Sequence, residues 1–155
     1  MNETLTETPA TPKTDVQSTV DRFRDLFNQM SRVEQRDLGT VYGADIEFTD
    51  PFTSVRGLPD LREYFSGAYA NVIQCHFEFG DTLIDDQDVC LSWVMKLRHR
   101  RIRRGQEIRV DGISRLRIGN DRVILHRDYF DAGQLLYENL PLLGGAVRWI
   151  RRHAA

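Results

Sequence analysis

Three side chains able to do proton chemistry fall where the alternation of the chain asks for apolar residues. Over residues 122–130, Ile124, His126, Asp128 and Phe130 share one face of a predicted strand and oppose Leu125, Arg127 and Tyr129. One strand earlier, Val110, Gly112, Ser114, Leu116 and Ile118 oppose Asp111, Arg115 and Arg117. In the strand before that, Leu91, Trp93, Met95 and Leu97 form the apolar face. The inward face is therefore apolar except at Ser114, His126 and Asp128. Burying such groups without partners is costly, so their placement asks for an explanation. A hydroxyl, an imidazole and a carboxylate on one face offer a hydrogen-bond donor and groups for general acid–base catalysis. The alternative is structural: Asp50 caps a turn, and His126 and Asp128 satisfy each other, as buried ion pairs do elsewhere.

Other reactive residues point to less. Cys75 and Cys90 match no zinc or redox spacing and sit in apolar runs, as small core residues do. No metal or cofactor is expected. Lys96, Arg98, Arg100, Arg101, Arg103, Arg104 and Arg109 make a dense basic run without aromatic residues for base stacking. It reads as a solvated hairpin with its turn at Arg104-Gly105, and no nucleic-acid partner is expected. The formal net charge of −2 agrees with that.

The elements that position these residues follow from periodicity. With 155 residues, 41% hydrophobic and 28% charged, one globular domain is expected. Met1 to Thr14 is rich in Thr, Pro and Glu, lacks periodicity, and reads as a disordered tail. Val16, Val20, Phe23, Phe27 and Met30 predict an amphipathic helix. Ser31 and Glu34 fit a capping box for a second helix reaching Tyr42, with Gly43 as its stop. Ile46 to Thr49 predicts a short strand closed by Asp50-Pro51. A third helix enters through Gly57 and Pro59, with Leu61, Tyr64, Phe65, Ala68, Tyr69 and Val72 as its buried stripe. From Cys75 the period changes to two, predicting strands at 75–84, 88–98, 107–118 and 122–130. Helices followed by antiparallel strands make an α+β fold. After Pro141, Leu142, Leu143, Ala146, Val147 and Ile150 recur at helical spacing beside Arg148, Trp149, Arg151 and Arg152. That basic amphipathic helix is expected to pack on the protein itself, peripheral membrane contact being the less favoured reading. Met1 to Thr14 has no apolar core of a signal peptide, and no apolar run is long enough for a membrane span, so a cytoplasmic protein is expected.

Two motifs carry a resemblance. Ile46-Glu47-Phe48-Thr49-Asp50-Pro51-Phe52 resembles the strand-end motif of ketosteroid isomerases, in which the aspartate before proline shuttles the proton. Arg127-Asp128-Tyr129-Phe130-Asp131 resembles the last strand of limonene-epoxide hydrolases, whose first aspartate is an active-site acid. From about Val16 to Glu138 the element order is similar to that of the nuclear-transport-factor-2-like superfamily, which holds both families and the SnoaL-like polyketide cyclases. The resemblance implies a cone-like curved antiparallel sheet with three N-terminal helices on its concave face and a pocket between them. With the tail read from composition over 1–14 and the basic helix from periodicity over 140–155, the domain is expected over 15–139. Relatives of this fold pair through the outer sheet face, here bearing Val94, Ile113, Leu125 and Tyr129, which implies a homodimer.

The departures from both families are informative. The isomerase's oxyanion-hole acid aligns with Ser114, and its hydroxyl-bearing aromatic falls near Phe23 or Phe27. The hydrolase's arginine–aspartate pair aligns with Trp93 and Met95, and its water-positioning tyrosine and asparagine with Phe48 and Asp50. Taken together, the alignments imply that Asp50 and Asp128 approach one pocket walled by Phe48, Phe52, Tyr64, Trp93, Met95 and Phe130. Two carboxylates there cannot cheaply both be charged, so one is expected to keep its proton or to use His126 as counter-charge. The expected function is cofactor-independent acid–base catalysis on an apolar small molecule, of isomerase, cyclase or hydratase/hydrolase type. Asp50 is the expected base, Asp128 with His126 the acid, and Ser114 a donor to developing negative charge. The competing reading is a non-catalytic ligand carrier or partner-binding module of the same fold.

Overall fold

The computed structural model describes residues 13–30, 38–139 and 143–153. The expected tail lies outside these residues except for Lys13 and Thr14, which belong to the first helix; the capping box at Ser31 and Glu34 lies outside them altogether. Helix α1 (Lys13–Gln29) turns Val20, Phe23, Leu26 and Phe27 inward at helical spacing, all of them buried. Helix α3 (Leu58–Tyr69) begins after Gly57, whose φ of 87° suits glycine, and carries proline in its first turn. Leu61 and Phe65 are its buried anchors.

Of the expected second helix the described residues show a single turn, α2 (Leu38–Val41), beside the long helices α1 and α3, so three N-terminal helices are not found among them. Tyr42 and Gly43, read as the second helix's end and stop, open strand β1 (Tyr42–Thr49) instead. Tyr42 pairs with Val123 and is buried, so a long-range ladder overrides the local helical signal. Strand β2 (Ser54–Arg56), which the sequence reading did not anticipate, folds back on β1 and turns Asp50-Pro51 into a hairpin loop.

Four longer strands follow: β3 (Val72–Asp85), β4 (Asp88–His99), β5 (Glu107–Gly119) and β6 (Arg122–Phe130). The turn between β4 and β5 falls at Arg103–Gly105, where the basic hairpin was expected to turn. All six strands make one curled, unclosed sheet in the order β2-β1-β6-β5-β4-β3, with β1 and β6 parallel and the other pairs antiparallel. The fold is α+β, and its core lies between the sheet and helices α1 and α3.

Three expectations of burial fail: Ala68 in the stripe of the third helix and Cys90, read as a core residue, are exposed, and so is Ile124. Ile124, expected on the inner face, is 41% exposed, whereas Val123 is fully buried. The ladder skips here, from Arg117↔Leu125 to Ile118↔Val123, so Ile124 is the extra residue of a bulge. Beyond the bulge His126, Asp128 and Phe130 regain the inward phase. The chain closes with α4 (Ala132–Leu135), capped by the Asp131 side chain, and α5 (Leu143–His153). Trp149 and Ile150 of α5 are 60% and 55% exposed, so the described residues do not cover them as the packing expectation required. Among the described residues no helix is long and apolar enough to cross a membrane.

Candidate functional site

The inner end of β6 meets β1, β3, β4 and α3 at a cavity of about 240 Å³. Asp50, Phe48 and Phe52 reach it from β1 and the following loop, Tyr64 from α3, Trp93 and Met95 from β4, and Asp128 and Phe130 from β6. All eight were expected there. Ser114 and His126 do not line it. They stand behind Asp128, Ser114 against a second void of only about 10 Å³ shared with Trp93 and Asp128.

Strand register explains the arrangement. Ser114 lies directly opposite Asp128 in the β5–β6 ladder, and its hydroxyl donates to Asp128 Oδ1 at 2.5 Å. The Trp93 indole Nε1–H donates to Ser114 Oγ at 2.9 Å. It can do so because Trp93 faces Gly112 and lies across it: a Cβ at Gly112 would sit 2.2 Å from Trp93 Cη2. His126 Nε2 is 2.7 Å from the same Asp128 Oδ1, and the Tyr42 hydroxyl is 2.9 Å from His126 Nδ1. With Nε2 carrying the hydrogen, the ring donates to the carboxylate and accepts from Tyr42, so every polar atom is satisfied. The ring is 1% exposed and edged by Phe23 and Phe48, centroids 5.1 and 5.0 Å away.

Asp128 Oδ1 thus holds two partners, while Oδ2 has none among the described residues. Ser114 spends its hydrogen on Asp128 and its lone pair on Trp93. It is a support for the carboxylate rather than the ligand contact expected from the alternation.

Asp50 is bound differently. Its Oδ1 accepts from the backbone N–H of Phe52 at 2.8 Å and of Thr53 at 2.9 Å, and its Oδ2 accepts from the Tyr64 hydroxyl. The turn is closed by the Asp50 N–H donating to Thr53 O at 3.0 Å. Burial foremost, then the hydrogen bond to Asp50 and the charges of Asp50 and Asp128, push the Tyr64 hydroxyl well above the usual phenol range. Both features of the structural alternative are therefore present: Asp50 caps a turn, and His126 bonds Asp128.

Tyr69 and Cys75 also line the cavity. Burial pushes the Cys75 thiol up to about 12, which leaves it unreactive at neutral pH. His99, at the rim, accepts from the Arg101 N–H at 3.2 Å; burial and the Arg101 charge lower its pKa. Among the described residues no group of three or more His, Cys, Asp or Glu gathers as metal ligands.

Sequence reasoning missed Tyr42, hidden by its assignment to a helix, and Gly112, whose signal was a glycine inside a strand opposite a tryptophan.

A protein with a ketosteroid isomerase-like fold from Catenulispora acidiphila, in complex with trimethylamine, superposes with a TM-score of 0.69 at 16% identity, covering 85% of this chain and 96% of that one. A protein described as a SnoaL-like polyketide cyclase from Jannaschia sp. CCS1 gives 0.67 at 12% identity, over 81% and 92%. An LEH-like epoxide hydrolase of M. tuberculosis gives 0.63 at 16%, over 76% and 84%. These likenesses show the fold. No match to a curated protein is found. The family model of the SnoaL-like domain matches residues 18–126, from α1 to the buried histidine, and the chain belongs to that family.

Proposed function

We propose that the chain is a cofactor-independent acid–base enzyme, of isomerase, cyclase or hydratase/hydrolase type, acting on an apolar small molecule in this cavity. One observation carries the reading: Asp128 lines an aromatic cavity with Oδ1 anchored by Ser114 and His126 and Oδ2 unpartnered among the described residues. A carboxylate so held has one oxygen fixed and one free to take a proton from a substrate carbon or a water and return it elsewhere. The donors on Oδ1 stay in place through the exchange and need no reorganisation. The base role moves from Asp50, expected from the sequence, to Asp128, because the three donors on Asp50 commit both of its oxygens. Asp50 then fixes the turn and the Tyr64 ring.

A ligand carrier would show the same turn cap and the same His126–Asp128 bond, so turnover separates the two readings. The test follows deuterium exchange and ring closure or hydration by NMR over a panel of apolar ketones, 1,3-dicarbonyl compounds and epoxides, each with and without an amino substituent. Wild type is expected to accelerate at least one, and Asp128→Asn to lower that rate about 10²–10⁴-fold. Ligands that bind without any acceleration would establish the carrier instead.

A further inference from the structure

We propose that the molecule taken by this cavity is a protonated amine on an apolar body, its N–H directed at Asp128 Oδ2; this rests on the reading of the cavity as a small-molecule site. Three observations converge on it. The first is charge. Asp50 and Asp128 both line the cavity, and among the described residues no lysine or arginine does. The lining histidine, His99, offers no compensating cation, since burial and Arg101 disfavour its charged form and its Nδ1 accepts from the backbone. Carboxylates in so apolar a wall attract a counter-charge; the described lining residues supply none, and His126, behind Asp128, supplies one only when protonated.

The second is the direction of the hydrogen bonds. The donors in contact with Asp128 and its supports are already used: Trp93 Nε1–H on Ser114, Ser114 Oγ–H and His126 Nε2–H on Asp128, the Tyr42 hydroxyl on His126. The Tyr64 hydroxyl is used on Asp50. The free position is an acceptor, Asp128 Oδ2. A ligand presenting a carbonyl or a carboxylate here would face lone pairs, and a hydrocarbon would leave Oδ2 unpaired. An ammonium N–H satisfies it and supplies the charge.

The third is the wall. Phe52, Phe130 and Trp93 run on from one another, with centroids 5.7 Å apart from Phe52 to Phe130 and 6.1 Å from Phe130 to Trp93. Phe48 and Tyr64 stand 5.4 Å apart beside Asp50. Aromatic faces carry negative potential and attract alkylammonium groups, so walls and carboxylates favour the same ligand.

The test uses the full chain and a matched pair of probes at neutral pH, N,N-dimethylbenzylammonium and its uncharged isostere isobutylbenzene. Binding is followed through the Trp93 indole N–H resonance. The ammonium is expected to bind about tenfold or more tightly than the isostere. In Asp128→Asn that preference is expected to vanish, and the wild-type ratio decides the matter even if the variant does not fold. Equal or tighter binding of isobutylbenzene would overturn the amine inference and leave the apolar cavity standing as a binding site. Failure of both probes to shift the resonance would overturn both readings.

Discussion

At the residue scale, the two carboxylates of the cavity are held for different work. Asp50 accepts three hydrogen bonds, two of them from its own turn, whereas Asp128 accepts two on one oxygen and keeps the other open. The difference has a measurable consequence in stability. Asp50→Asn keeps an amide oxygen for the Phe52 and Thr53 N–H groups, so it is expected to cost less than about 1 kcal/mol. Asp50→Ala removes both turn bonds and strands the Tyr64 hydroxyl, with an expected cost of about 1–3 kcal/mol. Denaturant unfolding of the two variants checks this; equal losses would mean that the turn bonds contribute nothing. Ser114, His126 and Asp128 were legible because alternation alone places them inward. Their division of labour was not legible, since it depends on register: only the pairing of Ser114 with Asp128 shows that the hydroxyl serves the carboxylate and not a ligand. Tyr42 was lost for a related reason. Its partner is distant in sequence, and local signals favoured helix.

At the scale of elements, the period-two strands were the readable part. β4, β5 and β6 lie within a residue of the expected spans, and β3 starts only slightly earlier, at Val72. Their alternating faces are buried on one side, which fixes register strongly. The short pieces were not readable. β2 exists because a loop returns it to β1, and the bulge at Ile124 exists because the β5–β6 ladder slips by one residue. Neither has a local signature strong enough to compete. Gly112 joins element to site, since its missing side chain is the space Trp93 occupies. Gly112→Ala is expected to push the indole off the strand, break its bond to Ser114 and destabilise the fold by about 1–3 kcal/mol. Gly67 is the natural control: a Cβ there meets nothing within 4 Å, and alanine in helix α3 is expected to be neutral or stabilising by up to about 1 kcal/mol. The check is thermal unfolding together with tryptophan fluorescence; an unchanged Trp93 environment in Gly112→Ala would mean that the indole is not held by that gap.

At the scale of the whole molecule, the sheet has a second face to account for. Ile113 and Tyr129 are 48% and 49% exposed and stand opposite each other in the β5–β6 ladder. Ile124, turned outward by the bulge, adds a third exposed apolar side chain at 41%, and Val94 and Leu125 are half-buried beside them. The charges around them include Asp88 with Arg115 and Arg117, paired among themselves, which suits a polar rim around an apolar centre. We propose that this face joins two copies of the chain. In a two-fold contact the same patch meets itself, so one substitution acts twice. Ile113→Asp would bring a carboxylate from each copy into the contact, close to Tyr129, and is expected to dissociate the pair without unfolding the domain, because Ile113 lies outside the core. Light scattering at tens of micromolar is expected to give twice the 18.0 kDa chain mass for wild type and a single chain mass for the variant. A wild-type mass of one chain at that concentration would refute the proposed contact. A dimer indifferent to Ile113→Asp would move it elsewhere, with the exposed Trp149 and Ile150 of α5 as the next surface to substitute.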